Sequence, residues 1–260
     1  MVTFTWSLVF YGVAGLFIAL WLYHAYIMPR PAADKKRENT TPREVWNGFV
    51  EMARSFIRKM PAKPMLFALL FLLFYRFPEA MLGKMSTTFL MRPGSAGGLG
   101  LSPQEFSFAY GTVGVIGLML GGILGGMLAS RDGLKKWLWP FVCAITLPDI
   151  VYVYLSYAMP SNLILISVCI FVEQFGYGLG FTALTLYMLY IAQGEFKTSH
   201  YAICTGISYL GLMLPGMVSG WLKDAVGYRT FFIIVMFLCL ITFIVTYFIK
   251  IDPEFGKRQE

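Results

Sequence analysis

Residues 163–192 read LILISVCIFVEQFGYGLGFTALTLYMLYIA, thirty positions with one charged side chain, Glu173. As a helix this stretch would run about 45 Å, well beyond the roughly 30 Å hydrocarbon core of a bilayer. Its apolar residues follow neither a period of two nor a single helical stripe, so the helix is apolar around its whole circumference, as a membrane span is. Six further runs share this character, at 5–27, 65–90, 105–129, 138–158, 201–222 and 230–249, which makes seven predicted spans. The runs at 65–90 and 163–192 exceed what the bilayer requires and are expected to tilt or protrude. Composition agrees: 57% of the 260 residues are hydrophobic and only 13% charged, against about a quarter in soluble domains. The expected class is therefore an all-α integral membrane protein.

Composition and motifs also exclude several functions. The first run is too long for a signal-peptide core, with no basic residue before it and no small-residue cleavage site after it, so it is read as a mature helix. Cys143, Cys169, Cys204 and Cys239 each lie inside an apolar run and form no CxxC pair, which makes them core residues rather than disulfide or metal partners. His24 and His200 fall at span ends. There is no hydrolase elbow, phosphate loop or zinc spacing, so neither an enzyme nor a cofactor or metal is expected.

The basic residues set an orientation. Nine lie in 28–63 (Arg30, Lys35, Lys36, Arg37, Arg43, Arg54, Arg58, Lys59, Lys63), and Arg131, Lys135, Lys136, Lys197, Lys250, Lys257 and Arg258 fall on the same side. The other side has only Lys84, Arg92, Lys223 and Arg229. By the positive-inside rule the 28–63 loop and the C-terminal tail are cytoplasmic, and Met1 lies outside. Topology thus accounts for the net charge of +7 without a nucleic-acid partner. Within that loop, Thr41-Pro-Arg-Glu44 is a capping-box helix start. Trp46, Phe49, Val50, Ala53, Phe56, Ile57 and Met60 follow on one face and Arg54, Arg58 and Lys59 on the other. This predicts a helix lying on the leaflet surface, with a partner-protein helix as the alternative. Ser102-Pro-Gln-Glu105 is a second cap-like start.

Charged residues inside spans are costly and point to function. Arg76, Asp149 and Glu173 each lie roughly 15–16 Å into their spans and so share one depth. Glu79 is three positions from Arg76 and is expected to pair with it. One cation then faces three acids, and at least one acid must be hydrated, matched by a substrate cation, or protonated. Glu173 is either such a proton-carrying group or a neutral glutamate holding helices together. Asp149, after Pro148 at an expected kink, is read first as structural. Gly117, Gly121 and Gly125 recur at small-xxx-small spacing with Gly122 and Gly126 beside them, a helix-packing seam. Gly176, Gly178 and Gly180 are expected to loosen the helix after Glu173.

A short pattern occurs twice. Gly126-Met-Leu leads to Gly133-Leu-Lys135-Lys136, and Gly220-Trp-Leu leads to Gly227-Tyr-Arg229, the glycines of each pair seven positions apart and the copies 94 apart. Three spans separate the copies, so they imply two three-helix repeats inverted in the membrane.

These stretches carry a family resemblance. GMLASRDGLKK at 126–136 resembles the G-x-L-x-D-R-x-G-x-K-K signature of the major facilitator superfamily, with Ser130 where aspartate is usual, which removes the charge attributed to that position. Residues 172–232 resemble helices ten to twelve of AmpG-type muropeptide permeases. The resemblance covers the chain as roughly helices six to twelve of twelve. It implies that 1–27 is the end of an N-terminal half, 28–64 the basic linker, 65–250 a six-helix C-terminal domain of two inverted repeats, and 251–260 a cytoplasmic tail. It further implies that Arg76, Glu79, Glu173, Gln174 and Tyr177 face substrate and protons, and that Gly117, Gly121, Gly125, Gly126, Arg131, Gly133, Lys135 and Lys136 serve packing or gating. The implied activity is proton-coupled import of muropeptides or related sugar-peptides across the inner membrane, in partnership with a missing N-terminal half. The alternatives are a permease for another anionic solute such as an acyl-coenzyme A, or a non-transporting membrane subunit or gene fragment.

Overall fold

The computed structural model describes residues 2–28 and 41–258, with the side chains of residues 2 and 3 left out of the account. Arg30, Lys35, Lys36 and Arg37 of the basic loop lie outside the described residues. The chain divides into two compact units, 1–48 and 49–260. The first holds α1 (Val2–Ile27), apolar around its circumference, and the start of α2 (Pro42–Arg58). The expected capping box closes there: the Thr41 amide donates to Glu44 Oε2 at 3.1 Å, and the Glu44 amide to Thr41 Oγ1 at 3.4 Å.

The second unit begins with the rest of α2 and is helical throughout. It continues as α3 (Ala62–Phe74), α4 (Phe77–Met91), α5 (Pro103–Phe106), a π-wound segment Ser107–Gly114, α6 (Val115–Asp132), α7 (Leu134–Thr146), a 3₁₀ turn Leu147–Asp149, α8 (Ile150–Ala158), α9 (Leu163–Ala192) and α10 (Lys197–Phe248). Six helical stretches of the described chain are long and apolar enough to cross a membrane. The last of them, α10, has 52 residues and would measure about 78 Å, enough for two crossings. It turns back at Gly227 (φ 75°, ψ 167°). Before the turn Gly211 abuts Leu73, and after it Phe232 meets Phe89 while Phe248 stacks on Phe67, so the two limbs run antiparallel. Counted this way, the spans number seven.

The expected second span is broken. Tyr75 and Arg76 form a turn between α3 and α4, with Arg76 at φ −104°, ψ 17°. Pro78 has no amide to continue the ladder and disfavours helix just before itself. The Tyr75 carbonyl accepts from Thr242 Oγ1 at 3.0 Å, so the break leaves that group satisfied.

The third span starts at the predicted capping box, with the Ser102 amide donating to Glu105 Oε2 at 2.9 Å. Its glycine seam packs on α9. A Cβ on Gly117, Gly121 or Gly125 would lie 2.9 Å from Phe171 O, 2.1 Å from Phe175 O and 2.6 Å from Thr182 Oγ1, respectively. The glycines after Glu173 do not loosen α9, which runs unbroken from Leu163 to Ala192. They clear space on two sides: Gly176 and Gly180 against Ala144 and Ile145 of α7, Gly178 against Leu118 of α6. Small residues here permit backbone approach, and the helix keeps its hydrogen bonds.

The apolar face of α2 is exposed in one part and packed in another. Trp46, Phe49 and Ile57 are exposed, but Phe56 is buried and tilted against the His200 ring at 5.4 Å. Ser55 Oγ lies 3.0 Å from His200 Nε2, and Lys59 Nζ donates to the Gln193 carbonyl. Burial lowers the Lys59 pKa below its ordinary value.

Two buried apolar clusters fill the second unit. One gathers Phe56, Phe71, Phe141, Tyr187 and Ile251, and the other Phe89, Leu155, Ile170, Phe231 and Phe232. Arg76 and Glu79 on one span, Asp149 on another and Glu173 and Gln174 on a third fall between residues of the two clusters along the chain.

Candidate functional site

This polar layer is assembled by three interruptions in helix winding and one unbroken helix. The turn before α4 presents Arg76 and the first turn of α4 presents Glu79, the 3₁₀ turn after α7 presents Asp149, and the π-wound segment presents Tyr110. Unbroken α9 supplies Glu173, Gln174 and Tyr177, which lie within one helical turn of one another. Pro78 and Pro148 account for the first two interruptions.

Carboxylate oxygens of Glu79, Asp149 and Glu173 lie within 4.8 Å of one another, and Asp149 and Glu173 are each only 2% exposed. Both oxygens of Glu173 accept from Gln174 Nε2, at 3.2 and 3.0 Å, and the same amide donates to Tyr110 Oη at 3.0 Å. Asp149 Oδ2 receives a weak contact from the Cys239 thiol at 3.8 Å. Among the described residues Glu79 Oε2 has no hydrogen-bond partner. At an effective dielectric constant of about 20, each pair of like charges at this distance repels by about 3.5 kcal/mol, so three ionised carboxylates together would cost roughly 10 kcal/mol.

Arg76 does not offset this charge by direct contact. Among the described residues it forms no ion pair with Glu79; its guanidinium donates to Tyr177 Oη and lies 5.2 Å from both the Tyr177 and Phe181 ring centres. The expected pairing assumed a continuous helix, in which positions three apart share a face. Arg76 sits in the turn outside α4, where that alignment is lost. Among the described residues its Nε has no partner, so the cation keeps donor capacity to spare.

Asp149, expected to be structural, belongs to the acid cluster. Tyr110, Tyr152 and Phe181 were missed; Phe181 had a signal in its spacing of four from Tyr177, whereas the two tyrosines had none beyond being mid-span hydroxyls. At the basic end, Asp132 pairs with Lys136 at 2.9 Å and accepts from Trp137 Nε1 at 3.0 Å. This loop therefore has its anion at 132, two positions from Ser130, whose hydroxyl only donates back to Met127 O at 2.9 Å. Gly133 makes the turn itself (φ 87°, ψ 153°), while Arg131 and Lys135 are exposed and Gly126 faces open space.

Comparison with known proteins agrees with this architecture. Residues 79–260 match the Major Facilitator Superfamily. The anhydromuropeptide permease of Escherichia coli K12 is 26% identical over 165 residues, covering 64% of this chain and 32% of that protein. A Rickettsia conorii protein named putative transporter AmpG 4 is 24% identical over 235 residues, 90% of this chain and 54% of that one. A Haemophilus influenzae protein of undefined role is 23% identical over 234 residues, 88% of this chain and 52% of its own length. The chain thus spans about half the length of the curated relatives it matches. The matched region contains all three clustered acids and both repeated glycine turns, and the chain belongs to the Major Facilitator Superfamily.

Proposed function

We propose that this chain supplies one half of a proton-coupled secondary transporter that imports anionic sugar-peptides of the muropeptide type. The observation that carries the reading is the Glu79–Asp149–Glu173 cluster. Repulsion of this size is relieved by binding protons, and a site that gains and loses protons in mid-membrane is what coupling to a proton gradient requires. Arg76 is the substrate group: its guanidinium suits a peptide carboxylate, and the Tyr177 and Phe181 rings beside it suit a sugar face. In this reading residues 65–250 form the six-helix domain, 28–64 the linker and 251–260 the tail, with the basic end in the cytoplasm. An N-terminal half, in the same or another polypeptide, completes the cavity for alternating access.

The test uses the chain together with an N-terminal half in proteoliposomes. Glu173→Gln is expected to abolish uptake of labelled anhydromuropeptide driven by a pH gradient while sparing substrate exchange without a gradient. Undiminished gradient-driven uptake by that variant would refute the coupling role. Uptake of an acyl-coenzyme A in place of muropeptide would refute the substrate class.

A further inference from the structure

An open pocket of about 620 Å³ lies at the basic end of the bundle, remote from the acid cluster. It is walled by the start of α3 (Lys63, Pro64, Phe67), the end of α9 (Tyr187, Tyr190) and the end of α10 with the residue beyond it (Tyr247, Phe248, Lys250). Three spans begin or end there, so the pocket sits where a membrane gives way to water.

Its lining is graded. On the membrane side Phe67 and Phe248 stack with ring centres 4.7 Å apart, and Tyr187 is buried behind them. On the water side Lys63 and Lys250 are exposed, no acid lines the pocket, and neither lysine forms an ion pair among the described residues. Lys136, Lys223 and Lys257 each pair with an acid, whereas Lys63 and Lys250, like Lys59, Lys84, Lys135 and Lys197, do not among the described residues. Tyr190 and Tyr247 also line the wall, and tyrosine is favoured at a membrane interface. Pro61 gives α3 no side-chain cap, so the positive end of that helix adds to the same field.

We propose that this pocket binds the headgroup of an anionic phospholipid, its phosphate between Lys63 and Lys250 and the first carbons of its acyl chains against Phe67 and Phe248. The two uncompensated lysines supply charge complementarity, and the aromatic floor distinguishes a lipid from a soluble phosphate. The inference does not depend on what the protein transports.

The test is native mass spectrometry of the full chain released from mixed micelles of phosphatidylglycerol and phosphatidylcholine. Selective retention of phosphatidylglycerol is expected, and Lys63→Gln with Lys250→Gln should lower that selectivity about tenfold or more. The control pair Lys135→Gln with Lys136→Gln should leave it unchanged. Equal retention of the two lipids, or equal loss of selectivity in the control pair, would overturn the proposal. So would displacement of the lipid by glycerol phosphate alone, which would make the pocket a soluble-anion site.

Discussion

The two glycine turns, at Gly133 and Gly227, have the same backbone conformation and opposite surroundings. Both glycines have positive φ with extended ψ, a region closed to side chains, and both follow an apolar helix whose earlier glycine, Gly126 or Gly220, faces open space. Around Gly133 the tail closes in: Leu134 N donates to Phe255 O at 3.0 Å, Arg258 N to Ser130 O at 2.7 Å, and Phe255 packs on Tyr190 at 4.9 Å. Around Gly227 no described residue comes within 4 Å of an added Cβ. That turn is held by side chains instead, with Arg229 Nε donating to Ser156 O at 3.1 Å and its guanidinium over Tyr157 at 5.2 Å. Local sequence therefore sets the conformation of each turn, and the elements that happen to reach it set its anchorage.

Substitution separates the two contributions. Gly227→Ala meets only backbone strain and should cost about 1–3 kcal/mol. Gly133→Ala meets the same strain and a carbonyl, Pro253 O, 2.9 Å from the new Cβ, and should cost roughly twice as much, read as a larger fall in the unfolding midpoint in detergent. Equal costs would mean that the tail yields freely and contributes no rigidity. Removing residues 252–260 should then bring the cost of Gly133→Ala down to that of Gly227→Ala, while leaving the latter unchanged. If the difference persists without the tail, it has another source. The smallest effect is expected for Arg229→Ala, about 1 kcal/mol for one hydrogen bond and one exposed ring contact. That loss should be insensitive to tail removal, since the two turns lie at opposite ends of the bundle.

Much of this was legible in the sequence because it rests on short-range rules. Both capping boxes, at Thr41 and Ser102, form as their spacing requires, and α9 has the bounds its apolar run predicts. The repeat around Gly133 and Gly227 was visible because both copies need a residue without a side chain at the same conformation. The shared depth of Asp149 and Glu173 followed from counting residues along a helix of known rise. The partners of these groups were not legible. Arg76 was assigned to Glu79 on helical spacing, but Pro78 ends that helix and sends the guanidinium to Tyr177. The glycines after Glu173 read as a weakness in the helix because spacing reports their absence of bulk and is silent about which neighbour uses the space. The burial of Phe56 and the closure of the tail over Gly133 depend on segments 120 or more residues away, and no local pattern records such contacts.

By itself the sequence determined that this is a helical membrane protein with a repeated glycine turn and a mid-span surplus of acid, since apolar length, glycine spacing and charge count act within one helix or one turn. Only the tertiary structure decided that Glu79, Asp149 and Glu173 share one cluster while Arg76 faces aromatic rings. Three separate interruptions of helix winding set those directions, and side-chain direction in a packed bundle depends on every neighbour at once.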